Sequence, residues 1–290
     1  MTTGDNRGSM SAARFLERGA DELGRAGIAE ARVEAELLLR HALGCTRESL
    51  LARLQEPVPA EATGHFFQLV ERRRGRVPVQ YIIGTQEFYG LSFRVTPAVL
   101  IPRPETEGVV EQTALAFENA RAPRIADIGC GSGCIAVALA HTLRDAELVA
   151  IDRSKAALAI ARENALRHGV VARVELLESD LLEAVADSDL DAVVSNPPYI
   201  PDEELAGLEP EVTEHEPRDA LSGGADGLDV IRRLVPQAHR ALRPGGMLVL
   251  EIGHGQSQAV ETLLREAALL HERTVPDLAG IPRIVIARKL

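Results

Sequence analysis

Cysteine is scarce in this sequence, with only Cys45, Cys130 and Cys134 among 290 residues. Three thiols cannot build a disulfide framework, and Cys130 and Cys134 have no histidine or further cysteine nearby in sequence to complete a metal site. The expectation is no bound metal and a reducing, cytoplasmic setting. Long apolar runs are also missing. Met1 to Met10 is polar and glycine-containing with no signal core, and nothing downstream is long and apolar enough to span a bilayer, so no membrane partner is expected. Positive charge is thin as well. Acidic residues outnumber Lys and Arg by 43 to 32, for a net charge of −11, and the one basic cluster, Arg72-Arg73-Arg74-Gly75-Arg76, reads as the solvated end of a helix. A dedicated duplex-DNA binder is more often basic. The balance therefore points to a protein or small-molecule substrate and to no stable nucleic-acid partner.

What is present is apolar content of 46%, ample for a core, arranged in two textures. From Ser11 to Gly84 the apolar residues recur at three- and four-residue spacing: Ala12, Phe15, Leu16 and Ala20, then Val33, Ala35, Leu37, Leu38 and Leu39. Thr46 reads as the N-cap of a short helix over Glu48 to Leu54, and Pro59 opens a helix carrying Phe66, Phe67 and Val70. Residues 1–84 are thus expected to form a small α-helical bundle. Phe88, Tyr89, Leu91 and Phe93 then alternate around Gly90 as a β-hairpin. Beyond it, apolar strands alternate with helices at 124–129, 147–152, 171–178, 190–195 and 246–252, and a closing pair follows at 271–276 and 283–288. Such alternation predicts an α/β domain over residues 85–290 with a mostly parallel, doubly covered sheet and an antiparallel final strand.

Two motifs carry chemistry. The first is Asp127-Ile128-Gly129-Cys130-Gly131-Ser132-Gly133, a glycine loop between a strand and an alanine-rich helix. Its glycines allow close approach of a ligand to the backbone, and the helix N-terminus offers unpaired N–H groups. Gly131, Gly133 and Ala136 also fit the looser dinucleotide fingerprint, which would predict hydride transfer. The second strand ends at Asp152, roughly 20 residues beyond the loop, where a carboxylate can accept both ribose hydroxyls of a nucleoside. The alternative for Asp152 is a helix cap before Ser154.

The second motif, Asn196-Pro197-Pro198-Tyr199, ends the apolar run from Leu190 to Val194. An amide locked by two prolines and followed by an aromatic forms a rigid polar cup suited to a planar NH2 group. The Asn196 side-chain oxygen and the Pro197 carbonyl are the candidate acceptors. Pro198 completes the wall, and Tyr199 packs on the amide plane. An amide nitrogen is a poor nucleophile, so in-line positioning and electrostatic preorganisation must supply most of the rate.

These residues resemble class I S-adenosylmethionine-dependent methyltransferases that modify amino or amide nitrogens. More selective matches are Pro78 to Gly84, Phe88 to Leu91, Leu100-Ile101-Pro102-Arg103-Pro104-Glu105-Thr106-Glu107, and Glu216 to Leu228. With them the sequence is similar, from about residue 12 to the C-terminus, to the PrmC/HemK family of protein-(glutamine-N5) methyltransferases. The resemblance implies a Rossmann-like fold and S-adenosylmethionine as cofactor. It implies class 1 peptide chain release factors as partners, methylated at the glutamine of their Gly-Gly-Gln motif, with the helical region recognising that substrate. It also implies a cofactor site made of Asp127, Gly129, Cys130, Gly131, Ser132, Gly133, Asp152, Asp180, Leu181 and Asn196, and a substrate site at Asn196, Pro197, Pro198 and Tyr199.

Two departures stand out. The family often places an aromatic over the adenine after Ser-Asp, and here Ser179-Asp180 is followed by Leu181; lost stacking is worth about 1 kcal/mol. Gly280-Ile281-Pro282-Arg283 stands where an acidic residue usually precedes the arginine. Glu105 and Glu107 either rim the cofactor pocket or cap the helix near Thr106. Glu216 either bonds the loop over the substrate or closes a turn with Pro217. The alternatives to a glutamine methyltransferase are an N6-adenine DNA or RNA methyltransferase and a non-catalytic cofactor-binding adaptor.

Overall fold

The computed structural model describes residues 10–186 and 189–290. Two compact units divide the chain between Gly84 and Thr85. The first contains helices α1 (Ala12–Arg25), α2 (Ala31–Leu43), α3 (Arg47–Ala52), α4 (Ala60–Arg74) and α5 (Val79–Ile83). Phe15, Leu16, Gly19 and Leu23 share one face of α1 and are buried, as the 3.6-residue period requires. Gly19 is needed there, since a Cβ would lie 2.6 Å from Cζ of Phe66 on α4. Thr46 caps α3 by accepting from the Ser49 N–H at 3.3 Å. The basic cluster is only partly solvated. Arg72 and Arg74 are exposed, whereas Arg73 is buried and pairs with Glu34 of α2. A helix end that packs on a neighbour buries one residue in three or four, and a buried guanidinium requires an anionic partner.

The second unit opens with the antiparallel hairpin β1 (Thr85–Phe88) and β2 (Leu91–Arg94). Its buried Phe88 and Phe93 join the main core. There follow α6 (Glu107–Phe117), β3 (Arg124–Ile128), α7 (Cys134–Thr142), β4 (Glu147–Asp152), α8 (Lys155–Arg167), β5 (Val174–Glu178) and β6 (Leu190–Ser195). The short helices α9 (Asp202–Leu205) and α10 (Pro210–His215) precede α11 (Asp229–Ala241), β7 (Leu242–Glu251), α12 (Ser257–Glu266), β8 (Leu269–Pro276) and β9 (Pro282–Lys289). Seven strands form one sheet in the order β5-β4-β3-β6-β7-β9-β8. Strands β3 to β7 pair in parallel. The final strand, β9, slots between β7 and β8 antiparallel to both, the expected closing arrangement.

Two boundaries differ from expectation by three residues or more. Residues 171–173 form a 3-10 turn, because the chain must reverse after α8 before entering β5. Arg173 braces that turn on the carbonyls of Ala140, Leu143 and Ala146. Strand β7 begins at Leu242, four residues early, with a register shift opposite Leu190 and Ala192 that accommodates Pro244 to Gly246. Among the described residues, no helix is long and apolar enough to cross a membrane.

The sheet is buried on both faces. One is lined by Ile125, Leu148, Val194 and Val249 beneath α7, the other by Ile128, Ile151, Val193 and Leu248 beneath α11. This accounts for the near-continuous apolar runs of the strands. The C-terminal ends of β3, β4 and β6 therefore lie side by side at the point where strand order reverses from β3 to β6, where open α/β sheets bind ligands.

Candidate active site

A cavity of about 470 Å³ opens at that point. Its wall includes Gly129, Gly131, Asp152, Asp180, Leu181, Asn196, Pro197 and Pro198. Ala98, Val99, Arg153 and Arg233, which sequence reasoning did not single out, also line it, as do Leu100, Asp219 and Gly223 from the matched segments. Asp127, Cys130, Ser132, Gly133 and Tyr199 do not line it.

The glycine loop is held by carboxylates rather than by its own side chains. Gly131 is left-handed at φ +53, and its N–H donates to Asp152 Oδ2 at 2.9 Å. Asp152 Oδ1 accepts from the Ser154 N–H at 2.8 Å. Ser154, not Asp152, caps α8 by accepting from the Ala157 N–H. A carboxylate accepts about four hydrogen bonds, so the Asp152 oxygens at the cavity wall have capacity left for ligand hydroxyls. Gly133 serves packing, because a Cβ there would lie 3.0 Å from Ala161 Cβ of α8. Ser132 gives its carbonyl to Asn164 of α8, whose amide also pairs with both backbone groups of Arg94. Buried Asn164 thus sews hairpin, loop and helix together. The Cys130 and Cys134 side chains lie in the core, where burial pushes the Cys134 thiol up to about 12.

Asp127 is 0% exposed. Its Oδ2 accepts from the Ala136 N–H at 3.0 Å, and its Oδ1 has no partner among the described residues. Burial pushes this carboxyl up to about 7, against the pull of the Ala136 hydrogen bond, and the charge of Asp152 adds to the rise.

The Asn196 cup rests on a polar network. Asn196 Nδ2 donates to Thr106 Oγ1 at 2.9 Å, Thr106 Oγ1 donates to Glu251 Oε2 at 2.6 Å, and the Tyr199 hydroxyl donates to Glu251 Oε1 at 3.1 Å. Asn196 Oδ1 has no hydrogen-bond partner among the described residues. Burial raises the Glu251 pKa, opposed by the Thr106 and Tyr199 hydrogen bonds and the Arg283 charge. Burial likewise pushes the Tyr199 phenol well above its usual range, keeping it protonated. Gln256 secures the backbone, accepting from the Gly253 N–H and donating to the Tyr199 carbonyl.

The acidic residues left open by the sequence now have places. Glu107 neither rims the cavity nor caps α6; it accepts from the Tyr89 N–H at 2.7 Å and holds the hairpin turn, where Tyr89 sits at φ +52. Thr106 is helical rather than a cap, which leaves its hydroxyl for Glu251. Glu105 is exposed and adds negative potential at Tyr199 and Glu251. Glu216 is buried, binds Arg103 at 2.5 Å and so fastens the Ile101 to Arg103 loop to the segment after α10. Arg283 donates to the Ile252 carbonyl at 3.0 Å and pairs with Asp277, an acid supplied from the preceding loop. Asp180 pairs with Arg233 at 2.5 Å. Leu181, at φ +52, contributes the apolar wall beside it.

Residues 14–84 match the PrmC N-terminal domain, and residues 113–209 match the Methyltransferase small domain. A release factor glutamine methyltransferase of Moorella thermoacetica is 48% identical over 96% of this chain and 98% of its own. One from Geobacter sulfurreducens is 47% identical over 92% of each. This chain belongs to the release factor glutamine methyltransferase family. Among solved structures, the family fold is shared with the 16S rRNA N2 G1207 methyltransferase of T. thermophilus, in complex with AdoMet and guanosine. That likeness has a TM-score of 0.53 at 21% identity and covers 71% of this chain and 50% of the other. The fold is that of class I methyltransferases, and the chain is a methyltransferase.

One residue that sequence reasoning missed was findable. Glu251 is a carboxylate that ends a buried apolar strand, the same pattern that drew attention to Asp152.

Proposed function

We propose that this protein transfers the methyl group of S-adenosylmethionine to the N5 side-chain amide of the glutamine in the Gly-Gly-Gln motif of class 1 release factors. The observation that carries the reading is identity of 48% to a named relative over nearly the whole chain, helical unit included. S-adenosylmethionine fits the residues present: a left-handed glycine turn where a side chain would crowd a ligand, the Asp152 carboxylate for ribose hydroxyls, and an orphaned, buried Asp127 oxygen behind the loop. When bound, it supplies a methyl group on a positively charged sulfur.

The chain's own residues then do the positioning. Gly129 and Gly131 bring the backbone close, Asp152 accepts from the ribose, and Asp180 and Leu181 flank the base. Cys130, Ser132 and Gly133 shape the loop from behind. Asn196 Oδ1 and the Pro197 carbonyl accept the two N–H bonds of the substrate amide, which aims the face of its nitrogen and favours pyramidal geometry. Pro198 and Tyr199 confine the amide plane. The proton leaves to water after transfer, because alkylation acidifies the nitrogen. Placement and fixed dipoles supply most of the rate. The unit ending at Gly84 grips the release factor, since one glutamine side chain is too small to give a partner-sized contact.

Incubation with labelled S-adenosylmethionine and a release factor, followed by location of the labelled residue, tests the reading. Label on the Gly-Gly-Gln glutamine is expected; label on nucleic acid instead, or none, would refute it. Asn196→Ala should lower turnover by about 10²–10³, by analogy with loss of one oxyanion-hole donor, while retaining much of the cofactor affinity.

A further inference from the structure

The buried Glu251 is unexplained by binding of either substrate. It is 1% exposed, does not line the cavity, and spends both oxygens on hydroxyls. In its ionised form, which the Thr106 and Tyr199 hydrogen bonds and the Arg283 charge favour against burial, Glu251 has no hydrogen to give, so both hydroxyls turn theirs toward it. Thr106 has only one hydrogen, and Glu251 takes it. Towards Asn196, Thr106 can then only accept, which obliges Asn196 to present Nδ2 at 2.9 Å and to leave Oδ1 facing the other way. With the amide turned over, two oxygens would meet with no hydrogen between them.

We propose that Glu251, acting through Thr106, fixes which end of the Asn196 amide faces the substrate and so makes the site take an NH2 group and refuse a carboxylate. The proposal rests on the reading of Asn196 as an acceptor for the substrate amide. Thr106 and Glu251 are positioning residues, because neither touches the reacting atoms. Glutamine donates into Asn196 Oδ1. Glutamate, of the same shape, would set a charged oxygen against it. A site built to hydrogen-bond an N–H rejects an analogue lacking one far better than a site relying on shape.

The test uses the full chain, a class 1 release factor, and the same factor with its Gly-Gly-Gln glutamine replaced by glutamate as competitor. Thr106→Val keeps the shape and removes the hydroxyl; Thr106→Ser keeps the hydroxyl. Glu251→Gln leaves one acceptor for two hydroxyls and, where its NH2 faces Thr106, frees the Thr106 hydrogen to reverse the Asn196 amide. We expect Thr106→Val and Glu251→Gln to lower kcat about tenfold or more, since small misplacements at a reacting centre are costly. They should also weaken the preference for the glutamine over the glutamate factor, with S-adenosylmethionine affinity close to wild type by calorimetry. Thr106→Ser should recover most of both kcat and preference. Wild-type kcat and preference in Thr106→Val, alongside an inactive Asn196→Ala, would overturn the relay alone. An active Asn196→Ala would overturn the reading beneath it. Loss of kcat with preference unchanged, or without recovery in Thr106→Ser, would mean a merely structural role and also overturn the relay. If Thr106→Val does not fold, Thr106→Ser and Glu251→Gln decide by the same criteria.

Discussion

Asp127→Asn should change how stability depends on pH. In the wild type the Asp127 carboxyl is pushed from 3.8 to about 7, chiefly by burial. The folded value lies above the unfolded one, so between these pH values the native state holds a proton that the unfolded chain has released. Stability contributed by that proton is present at low pH and is lost as pH rises through about 7. A rise from 3.8 to about 7 corresponds to roughly 4 kcal/mol over the full range, of which roughly 3 kcal/mol falls between pH 5 and pH 8. Asn keeps the acceptor for the Ala136 N–H and cannot ionise. Its own unpartnered NH2 adds a cost that does not vary with pH and therefore cancels. Urea unfolding of both proteins, followed by circular dichroism from pH 5 to pH 8, gives the stability difference at each pH. It should move by roughly 3 kcal/mol in favour of Asn as pH rises. A difference constant to within about 1 kcal/mol would show that Asp127 ionises as an ordinary carboxylate, and the burial argument would fail.

Asp152→Ala should weaken S-adenosylmethionine binding about tenfold or more, since hydrogen bonds to a charged acceptor are worth about 1.5–3 kcal/mol each; calorimetric titration checks it, and tighter binding of NAD than of S-adenosylmethionine would mean the glycine loop was misread. Leu181→Phe should tighten cofactor binding by about fivefold by restoring a stacking surface worth roughly 1 kcal/mol, and unchanged affinity would deny Leu181 a place over the base. Removing residues 1–84 should leave a folded protein by circular dichroism that binds cofactor but methylates a release factor poorly. Unchanged turnover by a folded truncation would rule out the recognition role.

Periodicity alone separates the helical stretch before Gly84 from the alternating strands and helices beyond it, because burial on one face of a helix or both faces of a sheet leaves its period in the residues. The glycine loop, Asp152 and the Asn196 cup were legible for a related reason. Each is a local device, strand end plus turn, whose residue types are demanded by backbone geometry within a few positions. What sits behind them was not legible. Thr106 and Glu251 are 145 positions apart, and Arg103 and Glu216 are 113 apart; a hydrogen bond across such a separation leaves no spacing to read. The same holds for Asn164, which looks like any polar residue on α8 until folding buries it between Ser132 and Arg94. Local sequence determined which chemical groups stand at the ends of the strands. Only the parallel sheet, by setting β3, β6 and β7 side by side, decided which of those groups meet.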